Sequence, residues 1–186
     1  WVAVWWLHTF ALLAFPPIIV RSKHLHLMLA PVAIFFRSET TSPMRALDLE
    51  HEDLGLINFS DLPVNDILNV NACVECGRCT DVCPAHRSGG SLDPKEVVLQ
   101  IQRGFSAGGS IIAGGGAEVA GGTAWVAEDD LMQCYACGAC EQACPVGVEH
   151  VGRKILDLRR GLVSDDRIAN ARAAKSFSVM GKAPHN

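Results

Sequence analysis

The chain has 186 residues, a formal net charge of −4 and 49% hydrophobic residues, with an isoelectric point near 6.0. That balance leaves no basic footprint for a nucleic acid. The apolar residues are unevenly spread: residues 1–36 are mostly apolar, and the rest has the composition of an ordinary soluble domain. The chain opens on Trp1-Val2 without an initiator methionine and closes on Pro184-His185-Asn186, so it is expected to be a piece of a longer protein cut at both ends.

From Trp1 to Val20 the only ionisable side chain is His8. About twenty apolar residues suffice for a helix to cross a hydrocarbon core. Trp1, Trp5 and Trp6 suit one interface, and Arg21, Lys23, Arg37 and Arg45 lie beyond the other end. The positive-inside rule then places everything after residue 20 in the cytoplasm of a cell bounded by that membrane. A signal peptide fits poorly, because a basic leader is missing and Pro16-Pro17 interrupts the run. Residues Leu25 to Phe36, broken by Pro31, are too short for a second span and are expected to continue the first helix to the membrane surface. On one continuous ideal helix His8 and His26 would share a face, about 27 Å apart. Such spacing suits axial ligands of two stacked b-type haems, with partner histidines on another helix; His24 lies off that face. Pro16-Pro17 can spoil the phase by kinking the helix.

Residues 37–60 are polar and acidic and read as a linker with little core. Leu62, Ile67, Leu68 and Val70 predict a helix leading into the first cysteine run. Asp93-Pro94 predicts a helix start, with Asp as N-cap and Pro in the first turn, running from Lys95 through Arg103 to Gly104. Residues 104–122 are glycine-rich but lack a phosphate-loop signature, and read as a flexible insertion. Glu128 to Gln133 predicts a short helix. Val148, Val151, Ile155, Leu158 and Leu162 place one apolar stripe on a single helix. Ser164, Asp165 and Asp166 predict the start of a further helix to Lys175, in a region 164–186 that would open a downstream part. Strand signals are nearly absent.

All eight cysteines fall in two copies of one pattern. Cys73, Cys76, Cys79 and Cys83 precede Pro84, and Cys134, Cys137, Cys140 and Cys144 precede Pro145. The run C-x₂-C-x₂-C-x₃-C-P is the bacterial two-cluster ferredoxin signature. Three thiols at that spacing can turn inward onto one cubane of iron and sulfur. Gly77 and Gly138 follow the second cysteine of each run, where the backbone must wrap closely and positive φ is expected. Zinc sites more often present two separated Cys-x₂-Cys pairs, and nothing marks a secreted disulfide framework. The resemblance to two-cluster ferredoxins implies crossed ligation. One [4Fe–4S] cluster would take Cys73, Cys76, Cys79 and Cys144, and the other Cys134, Cys137, Cys140 and Cys83.

Further segments narrow the match: Ser22-Lys23-His24-Leu25-His26, Ala72 through Cys79, Leu92-Asp93-Pro94-Lys95, Cys137 through Val146, and Glu149 through Arg160. With the cysteines, they make the chain resemble the membrane-bound iron–sulfur oxidoreductases related to heterodisulfide reductase. In these a cytochrome-b-like membrane domain is fused to an α-helical ferredoxin, and cysteine-rich CCG domains follow. The fold expected is therefore mainly α, the end of a transmembrane helix bundle (1–36) followed by an α-helical ferredoxin domain (61–163) with two [4Fe–4S] clusters. The resemblance implies electron transfer at the inner (cytoplasmic) membrane. A cytoplasmic donor, such as an electron-transferring flavoprotein or a thiol–disulfide couple, would be linked to the quinone pool, with the ferredoxin on the cytoplasmic side. No nucleophile or acid–base pair stands out, so the catalytic domain is expected to lie elsewhere. The alternative is a separate membrane-anchored iron–sulfur subunit, like that of succinate dehydrogenase or glycerol-phosphate dehydrogenase. Gln133, where the family often has an aromatic residue, and the glycine-rich insertion depart from the family pattern.

Overall fold

Helix α1 (Val2–Val20) carries no buried residue. Nothing in its sequence offers one apolar stripe; the whole circumference is apolar, and Trp5, Leu7, Phe10, Leu13, Phe15 and Ile18 are all exposed. A helix of this kind finds its partner in lipid or in other helices. Among the described residues it alone is long and apolar enough to cross a membrane. Pro16 and Pro17 lie inside it, and they leave the carbonyls of Leu12 and Leu13 without their usual amide donors. In the computed structural model residues 1–22, 24–46, 55–105, 108, 110–112 and 126–164 are described.

The helix does not continue into the next apolar stretch. The Ser22 hydroxyl and its amide both donate to the Ile19 carbonyl at 3.0 Å, and the His24 amide donates to the Ser22 hydroxyl. This local competition for the backbone ends α1. Helix α2 (Leu25–Phe35) starts afresh. The single-helix phase relation between His8 and His26 therefore does not hold. Nor does α2 simply trail along a surface: Ala30 and Ala33 are buried, and α2 packs on helix α3 (Val64–Asn71). The two alanines leave room for the close approach.

The described parts of the segment expected to be a linker, 37–46 and 55–60, are likewise built into the domain. The Ser38 amide donates to Glu149. The Ser42 amide and hydroxyl donate to the same oxygen of Glu141, at 2.6 and 3.0 Å. Arg45 pairs with Asp66 and with Asp157. Leu56 and Phe59 are core residues, and the Leu56 amide bonds the Asp157 carbonyl at 3.0 Å. Gly55 and Gly161 meet backbone to backbone, each where an added Cβ would overlap the other segment's main-chain atoms. In the described stretches 37–46 and 55–60, polar groups tether the chain to the domain.

After α3 come α4 (Arg78–Asp81) and α5 (Pro84–Arg87), one turn each, then α6 (Pro94–Phe105). Asp93 caps α6 as expected, accepting from the amides of Lys95 at 2.9 Å and Glu96 at 3.3 Å. Val97, Val98 and Ile101 face the core. Part of the glycine-rich insertion is not loose: Ile111 and Ile112 are buried, and the Ile111 amide bonds the Ile57 carbonyl at 2.8 Å. Two isolated bridges, Asn58 with Ser110 and Ile112 with Val126, are the β pairing among the described residues. Residues 113–125 lie outside them.

Helices α7 (Glu128–Met132) and α8 (Ala139–Ala143) frame the second cysteine run. The expected apolar stripe is present, with Val148, Val151, Ile155, Leu158 and Leu162 all buried. The single helix expected to carry it is not what forms: Val148 precedes the helical turns, and Val151–Ile155 forms a π turn that leads into α9 (Leu156–Ser164). Ser164 ends α9, donating back to the Gly161 carbonyl; the helix expected beyond it lies outside the described residues.

Candidate metal centres

The two cysteine runs adopt one backbone form. Glu75 and Ala136 both have φ 54°, while Gly77 and Gly138 have φ 79° and 74°. Each loop thus passes twice through the left-handed region around its second cysteine, Cys76 or Cys137. Glycine was legible there from the sequence. The left-handed Glu75 and Ala136 were not, since residues with side chains adopt that region infrequently. After each glycine a short helix begins, α4 or α8, carrying the third cysteine. These two helices pack on each other, and Cys79, Cys140 and Val151 form a buried cluster at their contact.

The thiols gather around two cavities. One is lined by Cys73, Cys76, Cys79 and Cys144, together with Val74, Gly77, Lys95, Val146 and His150. The other is lined by Cys134, Cys137, Cys140 and Cys83, with Ala85, Leu92, Pro94, Tyr135, Val151 and Ile155 among its walls. The fourth cysteine of each run thus lies with the first three of the other. Among the described residues no three ligating side chains converge tightly enough for a single metal ion. Four thiols spaced around a volume fit a polynuclear group instead.

Burial shifts four of these thiols. It pushes Cys73 and Cys134 up from their ordinary value, raises Cys79 to about 11 and raises Cys140 further. Backbone amides partly oppose it. The Ala136 amide points at Cys134 Sγ at 3.4 Å and the Val148 amide at Cys144 Sγ at 3.2 Å. Such desolvated thiols are protonated when alone and become thiolates on binding a metal, which releases protons. Four soft sulfur donors, a dry wall and amide donors to sulfur suit an iron–sulfur cluster.

Several residues that hold these loops carry no signal in the cysteine pattern. Arg159 donates to the Leu131 carbonyl and, at 2.6 Å, to the Cys134 carbonyl, fixing the entry to the second loop. Glu141 accepts from the Val151 amide at 2.6 Å and from Ser42. It therefore joins α8 to the π turn and to the entering chain. Asn69 accepts from the Glu149 amide and from Lys154 Nζ, and donates to the Gly147 carbonyl, pinning the turn after Cys144 to α3. Gln133, out of step with the family pattern, exchanges hydrogen bonds with Ser91 at 2.8 Å. His86 sits by the Leu92 carbonyl at 3.1 Å and lines neither cavity. His8 is exposed on α1 and His26 half-buried on α2, on separate helices.

This arrangement is that of a [4Fe–4S] dicluster ferredoxin unit, and residues 72–149 match the 4Fe-4S dicluster domain family. The chain is similar to iron–sulfur oxidoreductases. It is 31% identical over 196 aligned residues to the probable iron-sulfur-binding oxidoreductase FadF of Bacillus subtilis, covering 86% of this chain and 28% of that one. Its identity to a probable membrane-anchored ferredoxin of Chromohalobacter salexigens is 34%, over 71% of this chain and 22% of the relative. An EtfAB:quinone oxidoreductase of Syntrophomonas wolfei is 26% identical over 86% of this chain and 26% of its own length. The chain therefore spans about a quarter of each of these relatives. No solved structure matches it.

Proposed function

We propose that the chain is the electron-relay section of a quinone-linked membrane oxidoreductase. In this reading Cys73, Cys76, Cys79 and Cys144 hold one [4Fe–4S] cluster, and Cys134, Cys137, Cys140 and Cys83 hold the other. The observation that carries it is the crossed distribution of the eight thiols over two matched cavities that meet at Cys79, Cys140 and Val151. The clusters supply one-electron transfer. The chain supplies the rest: it strips water from the sulfurs, aims amides at them, and keeps the two sites in contact through the α4–α8 packing. Crossed ligands couple the halves, so neither site assembles independently of the other's loop.

The wholly apolar, unburied α1 supports a membrane span, and Arg21, Arg37 and Arg45 on the ferredoxin side support a cytoplasmic placement. The relative named EtfAB:quinone oxidoreductase supports an electron-transferring flavoprotein as donor and a quinone as acceptor. The great length of the relatives supports a fused enzyme with its catalytic part outside this stretch. Haem is not carried into this reading, because the break at Ser22 removes the shared face of His8 and His26. The alternative, a separate anchored iron–sulfur subunit, draws on the single candidate span among the described residues and on the relative named a membrane-anchored ferredoxin.

The test uses the full-length protein in its membranes. Reduced electron-transferring flavoprotein is the donor, and quinone reduction is followed. Cys76→Ser is expected to abolish quinone reduction while leaving donor binding intact. An undiminished rate would remove the relay from the path.

A further inference from the structure

His150 is a group that the relay as described does not use. It is 2% exposed, and neither ring nitrogen makes a hydrogen bond. The Pro94 carbonyl lies near enough to favour its charged form, yet burial outweighs that and, with Lys154 close by, lowers its pKa to about 3. In either charge state the imidazole ring carries an N–H to give. A buried donor without an acceptor is costly and rare in a native fold. His150 lines the cavity of Cys73, Cys76, Cys79 and Cys144, where the acceptors a loaded site would offer are sulfurs.

The other cavity has no counterpart. Its walls beyond the cysteines are Pro84, Ala85, Leu92, Pro94, Tyr135, Val151 and Ile155, none with a side-chain nitrogen. Backbone amides reach cysteine sulfurs in both sites, among them Val148 on Cys144 and Ala136 on Cys134, so main-chain donors are not what sets the two apart. Arg159, the cation nearest the second loop, is spent on the carbonyls of Leu131 and Cys134. Lys95 lines the first cavity as well, as a longer and more exposed chain. His150 is the buried donor, set in the wall where residue 150 lines one cavity and residue 151 the other.

We propose that His150 donates an N–H hydrogen bond to a sulfur of the cluster held by Cys73, Cys76, Cys79 and Cys144, and so raises the reduction potential of that cluster alone. The inference rests on the two-cluster reading above. A hydrogen bond to sulfur spreads the charge of the added electron and favours the reduced state. His150 thus helps make the two sites unequal.

The experiment uses protein purified anaerobically with ¹⁵N-labelled histidine. Iron and acid-labile sulfide are counted first; a chain without both clusters overturns the two-cluster reading itself, and the inference falls with it. With both present, pulsed electron paramagnetic resonance of the reduced protein should show a histidine nitrogen coupled to one cluster. His150→Leu should abolish that coupling. It should also move one of the two reduction waves to lower potential and leave the other in place. His150→Gln, which restores an N–H, should return the wave toward its original position. No histidine coupling in the wild type, or two unmoved waves in His150→Leu, would overturn the inference; the latter result would mean that the ring serves the Pro94 carbonyl. Should His150→Leu fail to assemble, the wild-type coupling and the His150→Gln titration still decide.

Discussion

The two cysteine loops share a backbone but not their surroundings. Around Cys76 and Cys137 the same pair of left-handed residues recurs, at 75 and 77 and at 136 and 138. The walls differ: Lys95 and His150 border the first cavity, while Leu92, Tyr135 and Ile155 border the second. The repeat therefore sets where sulfur can be placed. The unrepeated elements, α6, the π turn and the entering chain, set what each site feels. One motif copied twice yields two equivalent cradles, and asymmetry comes from what is packed against them.

The largest expected effect tests the equivalence. Cys76→Ser and Cys137→Ser should each lower iron from about eight to about four per chain, as two [4Fe–4S] clusters become one, read by metal and sulfide analysis of anaerobic protein. A loss of all iron in only one variant would mean that one site nucleates the other. Next is the shared frame. Asp66 is buried with Arg45 and Arg153 beside it, and Asp157 with Arg45 and Arg160. Burial raises the Asp157 pKa even with Arg45 and Arg160 pulling it down. Arg45→Met leaves both carboxylates short of a partner, and should cost about 3 kcal/mol in denaturant melts without favouring either cluster.

Arg159→Leu should discriminate between the halves. It frees the Leu131 and Cys134 carbonyls at about 2 kcal/mol. The second cluster should then be lost first on exposure to a chelator. The smallest effect is on the other side. Asp93 caps α6 and accepts from the Thr80 hydroxyl of α4 at 2.5 Å. Burial pushes its carboxyl up, but Thr80 and the amides of Glu96 and Lys95 outweigh that and hold it below its ordinary 3.8. A carboxylate depressed in the folded state stabilises above its unfolded pKa, and the benefit fades as pH falls through the folded value. Asp93→Ala should therefore cost about 1 kcal/mol at neutral pH, and the difference from wild type should vanish in acid below 3.8.

What the sequence made legible follows from how local each signal is. The cysteine spacing, the two glycines, the Asp93 cap and the stripe from Val148 to Leu162 are set within a few residues, and each reappears in the structure. The misreadings involve distant partners. Residues 37–60 look like a linker because the contacts of Ser38, Ser42 and Arg45 with Glu141, Glu149, Asp66 and Asp157 are visible only once the chain is folded. Ile111 and Ile112 were hidden among glycines, although two adjacent isoleucines already hint at burial. The stop after Val20 depends on one serine hydroxyl competing for the Ile19 carbonyl, a local device that an apolar run on both sides obscures. His150 had no signal of its own; its neighbours come from α6 and from both cysteine runs.

The central claim is that each cluster draws its fourth ligand from the other run. The direct test compares the paramagnetic resonance spectrum left in reduced Cys144→Ser with those left in Cys76→Ser and Cys137→Ser. Crossed ligation predicts that Cys144→Ser perturbs the same cluster as Cys76→Ser and retains an intact second cluster, although Cys144 lies in the second run. A Cys144→Ser spectrum that instead matches Cys137→Ser would contradict the crossed arrangement.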